Sequence, residues 1–139
     1  MKRVFIDTNI FAYAFDLSAD VKRQRADQAV ASLQGAEILP WISTQVLQEY
    51  YNVLTHKFGF AAARAKHELL VVCAIPTVIM TPDIIKIAAD LHGSTSISFW
   101  DALIVAAAQS ADCDEIWTED MQTGRQYGRL KIVNPLANI

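Results

Sequence analysis

The segment Val4-Phe5-Ile6-Asp7-Thr8-Asn9 sets the pattern for the rest of the chain, because three apolar residues end at an acidic and polar turn. Such a run predicts a buried strand that turns directly into a helix. The pattern recurs downstream. Short apolar strands are predicted at residues 38–42, 76–80 and 115–118, with a possible fifth at residues 131–133.

The segments between these strands have helical features, including apolar residues at i, i+3, i+4 and i+7 and suitable N-cap residues such as Ser96 or Ser98. Helices are predicted at about residues 18–33, 44–57, 61–73, 82–92 and 98–111. Strands that alternate with helices indicate an α/β protein with a parallel sheet covered on both faces. With no internal repeat or linker, we expect a single domain over residues 1–139.

Composition excludes several classes of protein. Of the 139 residues, 53% are hydrophobic and 19% are charged, which is not the composition of a disordered chain. The longest apolar run, residues 102–108, is far shorter than the ~20 residues of a membrane span. Cys73 and Cys113 lie outside any metal-binding spacing and do not suggest a disulfide scaffold. We therefore expect a cytoplasmic protein with no membrane segment.

Four of the fifteen acidic residues occupy positions where a carboxylate is unexpected. Asp7 and Asp120 each follow a predicted buried strand, at the sheet edge where ligands bind in such folds. Glu49 and Asp101 share helix faces with apolar residues. Buried carboxylates are rare unless they are paired or bound to a metal, so a shared site would explain all four.

Each of these acids also has an ordinary structural explanation. Asp7 could form an Asx turn, and Asp101 could interact with the dipole of its helix. Asp120 could cap a short helix that begins at Met121, and Glu49 could pair with a buried Lys or Arg. Taken one at a time, these explanations are as good as the functional one.

A cluster of carboxylates needs a cation, because like charges raise one another's pKa values. Mg²⁺ or Mn²⁺ fits best, since both prefer carboxylate and water oxygens, and no His spacing suggests zinc. Such a site favours hydrolysis of a phosphodiester. The neighbouring Thr8 and Asn9 could hold a water or a phosphate, and Thr118 could bond to Asp120. No Walker A or dinucleotide-binding motif is present.

Several segments, in order along the chain, resemble the motifs of PIN-domain ribonucleases. The matching segments are residues 4–9, 43–49, 98–108 and 117–122, followed by Gly124 and residues 133–135. The length and pattern are similar to those of VapC-like toxins from bacterial toxin–antitoxin pairs. The resemblance implies a three-layer α/β/α sandwich with a central, mainly parallel sheet of four or five strands.

The resemblance also implies a Mg²⁺- or Mn²⁺-dependent endoribonuclease with an RNA substrate, a small antitoxin partner and a homodimeric assembly. The implied metal-binding and catalytic residues are Asp7, Glu49, Asp101 and Asp120, with Thr8, Asn9 and Thr118 as supporting polar residues. The fourth acidic motif varies in this family, so Glu119 competes with Asp120 for that role.

Two other functions fit the same residues. An aspartate-based phosphatase or phosphoacceptor domain would use Asp7 as its nucleophile, although Asn9 stands where such enzymes have a second Asp. A non-catalytic module would use the acids only to bind a basic partner. For RNA contacts, the basic candidates are Lys22, Arg23, Arg25, Lys57, Arg64, Lys66, Arg125 and Arg129. The three tryptophans, Trp41, Trp100 and Trp117, are expected to pack in the core rather than stack on bases.

Overall fold

The computed structural model describes residues 1–137 and contains six strands and six α-helices in that range. The strands are β1 Lys2–Ile6, β2 Ile38–Ser43, β3 Thr77–Val78, β4 Glu115–Trp117, β5 Gln126–Tyr127 and β6 Leu130–Val133. The helices are α1 Thr8–Ala12, α2 Asp20–Ser32, α3 Thr44–His56, α4 Ala62–Val72, α5 Pro82–Ser94 and α6 Phe99–Ser110. A single turn of 3₁₀ helix, Tyr13–Phe15, follows α1.

The strands form one sheet in the order β3-β2-β1-β4-β6-β5. All neighbouring pairs are parallel except β5 and β6, which are antiparallel. The helices surround this sheet as a three-layer α/β/α sandwich, which confirms the predicted fold class. β1 lies between β2 and β4, so its carboxyl end is near the middle of the sheet edge.

Central β1 is buried because it has neighbours on both sides and helices on both faces. Val4, Phe5 and Ile6 are fully buried in the main apolar core. A strand buried in this way reads as a continuous apolar run rather than an alternating one. The polar residues that follow are therefore at the point where the chain leaves the core.

Side-chain caps fix where the two site-bearing helices begin. Ser43 caps α3 by accepting a hydrogen bond from the backbone N–H of Val46, and Ser98 caps α6 by accepting one from Asp101. Seven consecutive residues of α6, from Ala102 to Ala108, are buried.

The structure corrects three details of the sequence analysis. The sheet has six strands rather than four or five, because the two-residue β5 pairs with β6 across a turn in which Gly128 has φ of +63°. Helix α5 continues past Gly93 to Ser94. Cys73 is exposed, whereas Cys113 is buried as expected for a small apolar residue.

Two other expectations concern the chain as a whole. The predicted single domain includes residues 138 and 139, which lie outside the described residues, so that extent stays a prediction. Within residues 1–137, none of the helices has the length and apolar character needed to cross a membrane.

Candidate active site

The site begins where β1 and β4 end side by side. The backbone N–H of Asp7 donates to the carbonyl oxygen of Trp117 at 3.0 Å, and that of Thr118 donates to Val133 at 3.0 Å. These bonds continue the parallel ladder by one residue beyond each strand. Asp7 and Thr118, which are separated by more than a hundred residues of sequence, are thereby held as neighbours.

Asp7 is a buried carboxylate, with only 3% of the residue exposed. Its Oδ1 accepts a hydrogen bond from the Thr8 backbone at 2.7 Å, and its Oδ2 accepts one from the Thr118 hydroxyl at 2.7 Å. Burial raises the pKa of Asp7 to about 6; the Thr118 and Thr8 hydrogen bonds oppose this, and the charges of Glu49 and Asp120 add to it. Asp7 also caps α1, so the Asx-turn explanation describes its local structure without accounting for the neighbouring acids.

Glu49 reaches the same place from α3. Its Oε2 accepts a hydrogen bond from the Thr8 hydroxyl at 3.0 Å, and its Oε1 accepts one from Nε2 of Gln45 at 3.0 Å. Neither partner is a cation, and no ion pair joins Glu49 to a Lys or Arg among residues 1–137. The alternative in which Glu49 pairs with a buried Lys or Arg is therefore wrong.

Asp101 stands in the first turn of α6, as a residue that satisfies the helix dipole would. Burial raises the pKa of its carboxyl; the Ser98 hydrogen bond opposes the rise, and the charges of Asp120 and Glu49 add to it. Since the charges of Glu49 and Asp120 act on both Asp7 and Asp101, the four carboxylates share one electrostatic environment.

Asp120 and Glu119 differ in how they are held. Oδ2 of Asp120 accepts a hydrogen bond from Nδ2 of Asn9 at 2.8 Å, and its backbone N–H donates to the Thr118 hydroxyl at 3.1 Å. Glu119 instead accepts a hydrogen bond from the Tyr13 hydroxyl and forms an ion pair with Lys22 at 3.1 Å. No helix begins at Met121, so the expectation that Asp120 caps one is wrong.

The site residues surround one cleft of about 440 Å³. Seven of the eight predicted residues line it, namely Asp7, Thr8, Asn9, Glu49, Asp101, Glu119 and Asp120. The eighth, Thr118, is fully buried beneath Asp7. The structure thus brings together acids that are far apart in the sequence.

The donor set suits a hard cation, because the groups in the cleft that could bind an ion include several carboxylates together with amide and hydroxyl oxygens. The buried Oδ1 of Asn9 and Oε1 of Gln45 have no hydrogen-bond partner in the described part of the chain. In that same part, no three Asp, Glu, His or Cys side chains already converge in a metal-ligand arrangement. The acids share a cleft, and a bound cation would have to draw them closer together.

Sequence reasoning missed several residues of the cleft. Gln45 joins Glu49 to the backbone carbonyl of Trp100, and Tyr13 holds Glu119, but neither has a sequence signal that predicts it. Of the Lys and Arg side chains predicted to contact RNA, Lys57 lines the cleft. Trp100 also lines it and is 65% exposed, so the expectation of core packing is wrong for this residue.

Comparisons with known proteins agree with this architecture. The family described as PIN domain matches residues 4–127 of the chain. A search of curated proteins finds no matching sequence.

Three solved structures have a similar fold. A toxin–antitoxin complex from Klebsiella pneumoniae has 22% identity and a TM-score of 0.70, and the alignment covers 95% of this chain and 97% of that one. VapBC2 from Rickettsia felis, bound to a DNA fragment from its promoter, has 17% identity, a TM-score of 0.69 and coverage of 95% and 98%. VapC20 from Mycobacterium tuberculosis, a sarcin-ricin loop cleaving toxin, has 20% identity, a TM-score of 0.66 and coverage of 84% and 89%.

The family match spans most of the chain, and it includes the strand ends and helices that carry the acidic cleft. These observations agree on one assignment: the chain belongs to the PIN domain family.

Proposed function

We propose that this protein is a Mg²⁺- or Mn²⁺-dependent endoribonuclease and the toxin component of a toxin–antitoxin pair. The observation that supports this most directly is the cleft lined by Asp7, Glu49, Asp101 and Asp120, none of which forms an ion pair with a Lys or Arg among the described residues. PIN family membership and the fold shared with a sarcin-ricin loop cleaving toxin agree with it.

In this proposal the four acids would hold the metal, which would make a bound water more acidic and stabilise charge on the phosphate. The protein's own part is orientation. Thr118 and the Thr8 backbone fix both oxygens of Asp7, the Thr8 hydroxyl holds Glu49, and Asn9 holds Asp120. Carboxylates whose orientation is restricted in this way lose less freedom when an ion draws them together.

Asp120 is a better fourth ligand than Glu119 in this proposal. Glu119 already has a cationic partner in Lys22 and a phenolic donor in Tyr13. Asp120 has no ion pair in the described structure, and its single side-chain donor, Asn9, is itself a residue of the cleft. Replacing the existing contacts with a bound ion would therefore cost less at Asp120 than at Glu119.

The proposed activity is tested by incubating the protein with RNA and Mn²⁺. We expect cleavage that is lost with EDTA and in Asp7→Asn and Asp101→Asn, while both variants stay folded. Asp90→Asn is the matched control, because Asp90 is an exposed acid of α5 that does not line the cleft. Full activity of both cleft variants in matched metal would refute the proposal.

Two alternatives have less support. A phosphatase of the haloacid-dehalogenase type needs a second acid two residues after Asp7, where Asn9 stands and donates to Asp120. A purely protein-binding cleft would show no Mn²⁺ binding at millimolar concentrations by calorimetry, whereas the proposed nuclease would bind it.

The proposed partners are an RNA substrate, an antitoxin and a second copy of the chain, and the proposed location is the cytoplasm, where RNA and antitoxin are available. Toxin–antitoxin complexes among the similar folds support the antitoxin. Exposed apolar side chains support the homodimer, because a second copy could cover them. They are Val71 on α4, Ile79 just after edge strand β3, and Ile85 and Ile87 on α5. Sedimentation of the purified chain tests this assembly.

A further inference from the structure

Trp100 is a large aromatic residue that the fold leaves in solvent. It is 65% exposed, although residues 102–108 of α6 are buried, whereas Trp117 is only 7% exposed. Burying an aromatic side chain removes 150–250 Å² of surface from water, so one left exposed beside a cleft is available to a ligand.

The position of Trp100 relates it directly to the acids. It is the residue before Asp101, and both line the cleft. Its backbone carbonyl accepts a hydrogen bond from Nε2 of Gln45 at 3.4 Å, and the same nitrogen donates to Glu49. The start of α6 is thereby tied to α3 across the cleft, and the backbone of Trp100 is fixed relative to two of the acids.

The indole ring is also held from behind. It makes an edge-to-face contact with Phe99, with ring centroids 5.6 Å apart and planes at 64°. Phe99 in turn meets the ring of His92 edge to face at 6.4 Å. A ring that is supported in this way loses little freedom when a ligand stacks on it.

We propose that Trp100 is a stacking platform for an unpaired RNA base next to the scissile phosphate, an inference that rests on the nuclease function proposed above. A phosphate drawn to the acids and their cation puts its flanking bases at the cleft wall, where the indole of Trp100 stands beside Asp101. Every base has a π-face, so stacking needs no particular sequence. A base stacked on protein has left its duplex, so the substrate is single-stranded at the cut.

The chemistry of the cleft favours RNA over a peptide as the occupant. Besides the acids, the lining includes Lys57 and Asn52, which can contact a phosphate and a base or sugar. A peptide or second copy that covers Trp100 would bury the indole without any dependence on RNA. The experiment therefore measures the coupling between Trp100 and one base of the substrate.

The wild-type protein first cleaves total RNA with Mn²⁺, and end mapping locates a cut. Two synthetic oligoribonucleotides spanning that cut are then compared, one intact and one with an abasic site at the base beside the scissile bond. Their kcat and KM are measured for wild type, Trp100→Ala, Trp100→Phe and the control Leu17→Ala, whose residue is 80% exposed and outside the cleft lining.

On the intact substrate, we expect Trp100→Ala to lower kcat/KM by roughly 5- to 150-fold, mainly through KM, since a stacked base is worth that factor. Trp100→Phe keeps most of the activity, and Leu17→Ala keeps all of it. Removing the base from the substrate should lower the kcat/KM of wild type by a similar factor and that of Trp100→Ala almost not at all. This difference is the coupling expected when the indole contacts the base directly. A complementary strand that pairs the cut site should abolish cleavage.

An abasic penalty that is equal in wild type and Trp100→Ala would overturn the stacking role, as would unchanged kcat/KM in Trp100→Ala. Unchanged kinetics together with a dimer that is lost in sedimentation of Trp100→Ala would assign the indole to a protein interface instead. Because Trp100 is mostly exposed, thermal unfolding of Trp100→Ala should match wild type. Wild-type protein that cleaves no RNA in Mn²⁺ would refute the nuclease function itself, which is a different result from any of these.

Discussion

Replacing Asp7 with Asn should stabilise the metal-free protein at neutral pH. The carboxyl has a pKa of about 6 in the fold against 3.8 in the unfolded chain, so the folded state binds the proton more tightly. Folding stability therefore falls as the pH rises from about 4 to 6, and the loss is complete above that range. Because one pKa unit corresponds to ~1.4 kcal/mol, this difference predicts a cost of ~3 kcal/mol at pH 7.5.

Asparagine removes the charge and keeps the shape. Its Oδ1 can accept from the Thr8 backbone as Asp7 does, and its Nδ2 can donate to the Thr118 hydroxyl, whose proton rotates away. Both hydrogen bonds of the buried group thus survive the substitution. The variant should gain up to ~3 kcal/mol, which for a chain of this length is a rise in Tm of ~10 °C.

The assay is thermal and urea unfolding in EDTA at pH 4 and pH 7.5, with Asp90→Asn as the matched control. We expect a large gap between Asp7→Asn and wild type at pH 7.5, a small gap at pH 4 and none for the control. Mn²⁺ should raise the Tm of wild type and leave that of Asp7→Asn nearly unchanged. An Asp7→Asn variant that is less stable than wild type at pH 7.5, or a gap that does not vary with pH, would refute the reasoning.

Two further substitutions test the groups around Asp7. Thr118→Val should lower the free energy of unfolding by ~1–3 kcal/mol, because it removes the donor to Asp7 and the acceptor for the Asp120 N–H. The loss should be larger at pH 7.5, where Asp7 is ionised, than at pH 4. Urea unfolding measures it, and Thr118→Ser is the control that should keep both contacts. Glu49→Gln should raise the stability of the metal-free protein, because one like charge is lost and Gln45 can turn its unpaired Oε1 toward the new amide. Calorimetry should also show weaker Mn²⁺ binding. Equal Mn²⁺ affinity in the variant and wild type would contradict a ligand role for Glu49.

The fold was largely predictable from sequence because its central strands are buried on both faces. A parallel sheet covered by helices requires continuous apolar runs, and Val4-Phe5-Ile6 at the end of β1 is such a run. β5 was not predicted, because a strand of two residues with one buried side chain has no periodic pattern in the sequence. Its pairing depends on the turn at Gly128 and on β6, which are tertiary features.

The candidate site was predictable in its acids and less so in its other residues. Carboxylates at strand ends and on apolar helix faces stand out in the sequence because burial was expected there. Only Asp7 is buried, whereas Glu49 and Asp101 are half-buried and Asp120 is exposed. The exposure of Trp100 was not visible, because α6 is apolar on nearly every side and its periodicity does not show which residue faces out. The bridging role of Gln45 depends on how α3 approaches α6, which no local pattern encodes.

The hydrogen bonds from Thr118 to Asp7 and from Asn9 to Asp120 each span 111 positions of the chain. A ribosome therefore makes Asp7, Glu49 and Asp101 well before it makes the residues that complete their cleft. A nascent chain that stalls before β4 has most of the acids but neither the strand nor the threonine that holds Asp7 in place. For the ribonuclease proposed above, we expect this order of synthesis to leave the unfinished product inactive toward the ribosome and message that are making it.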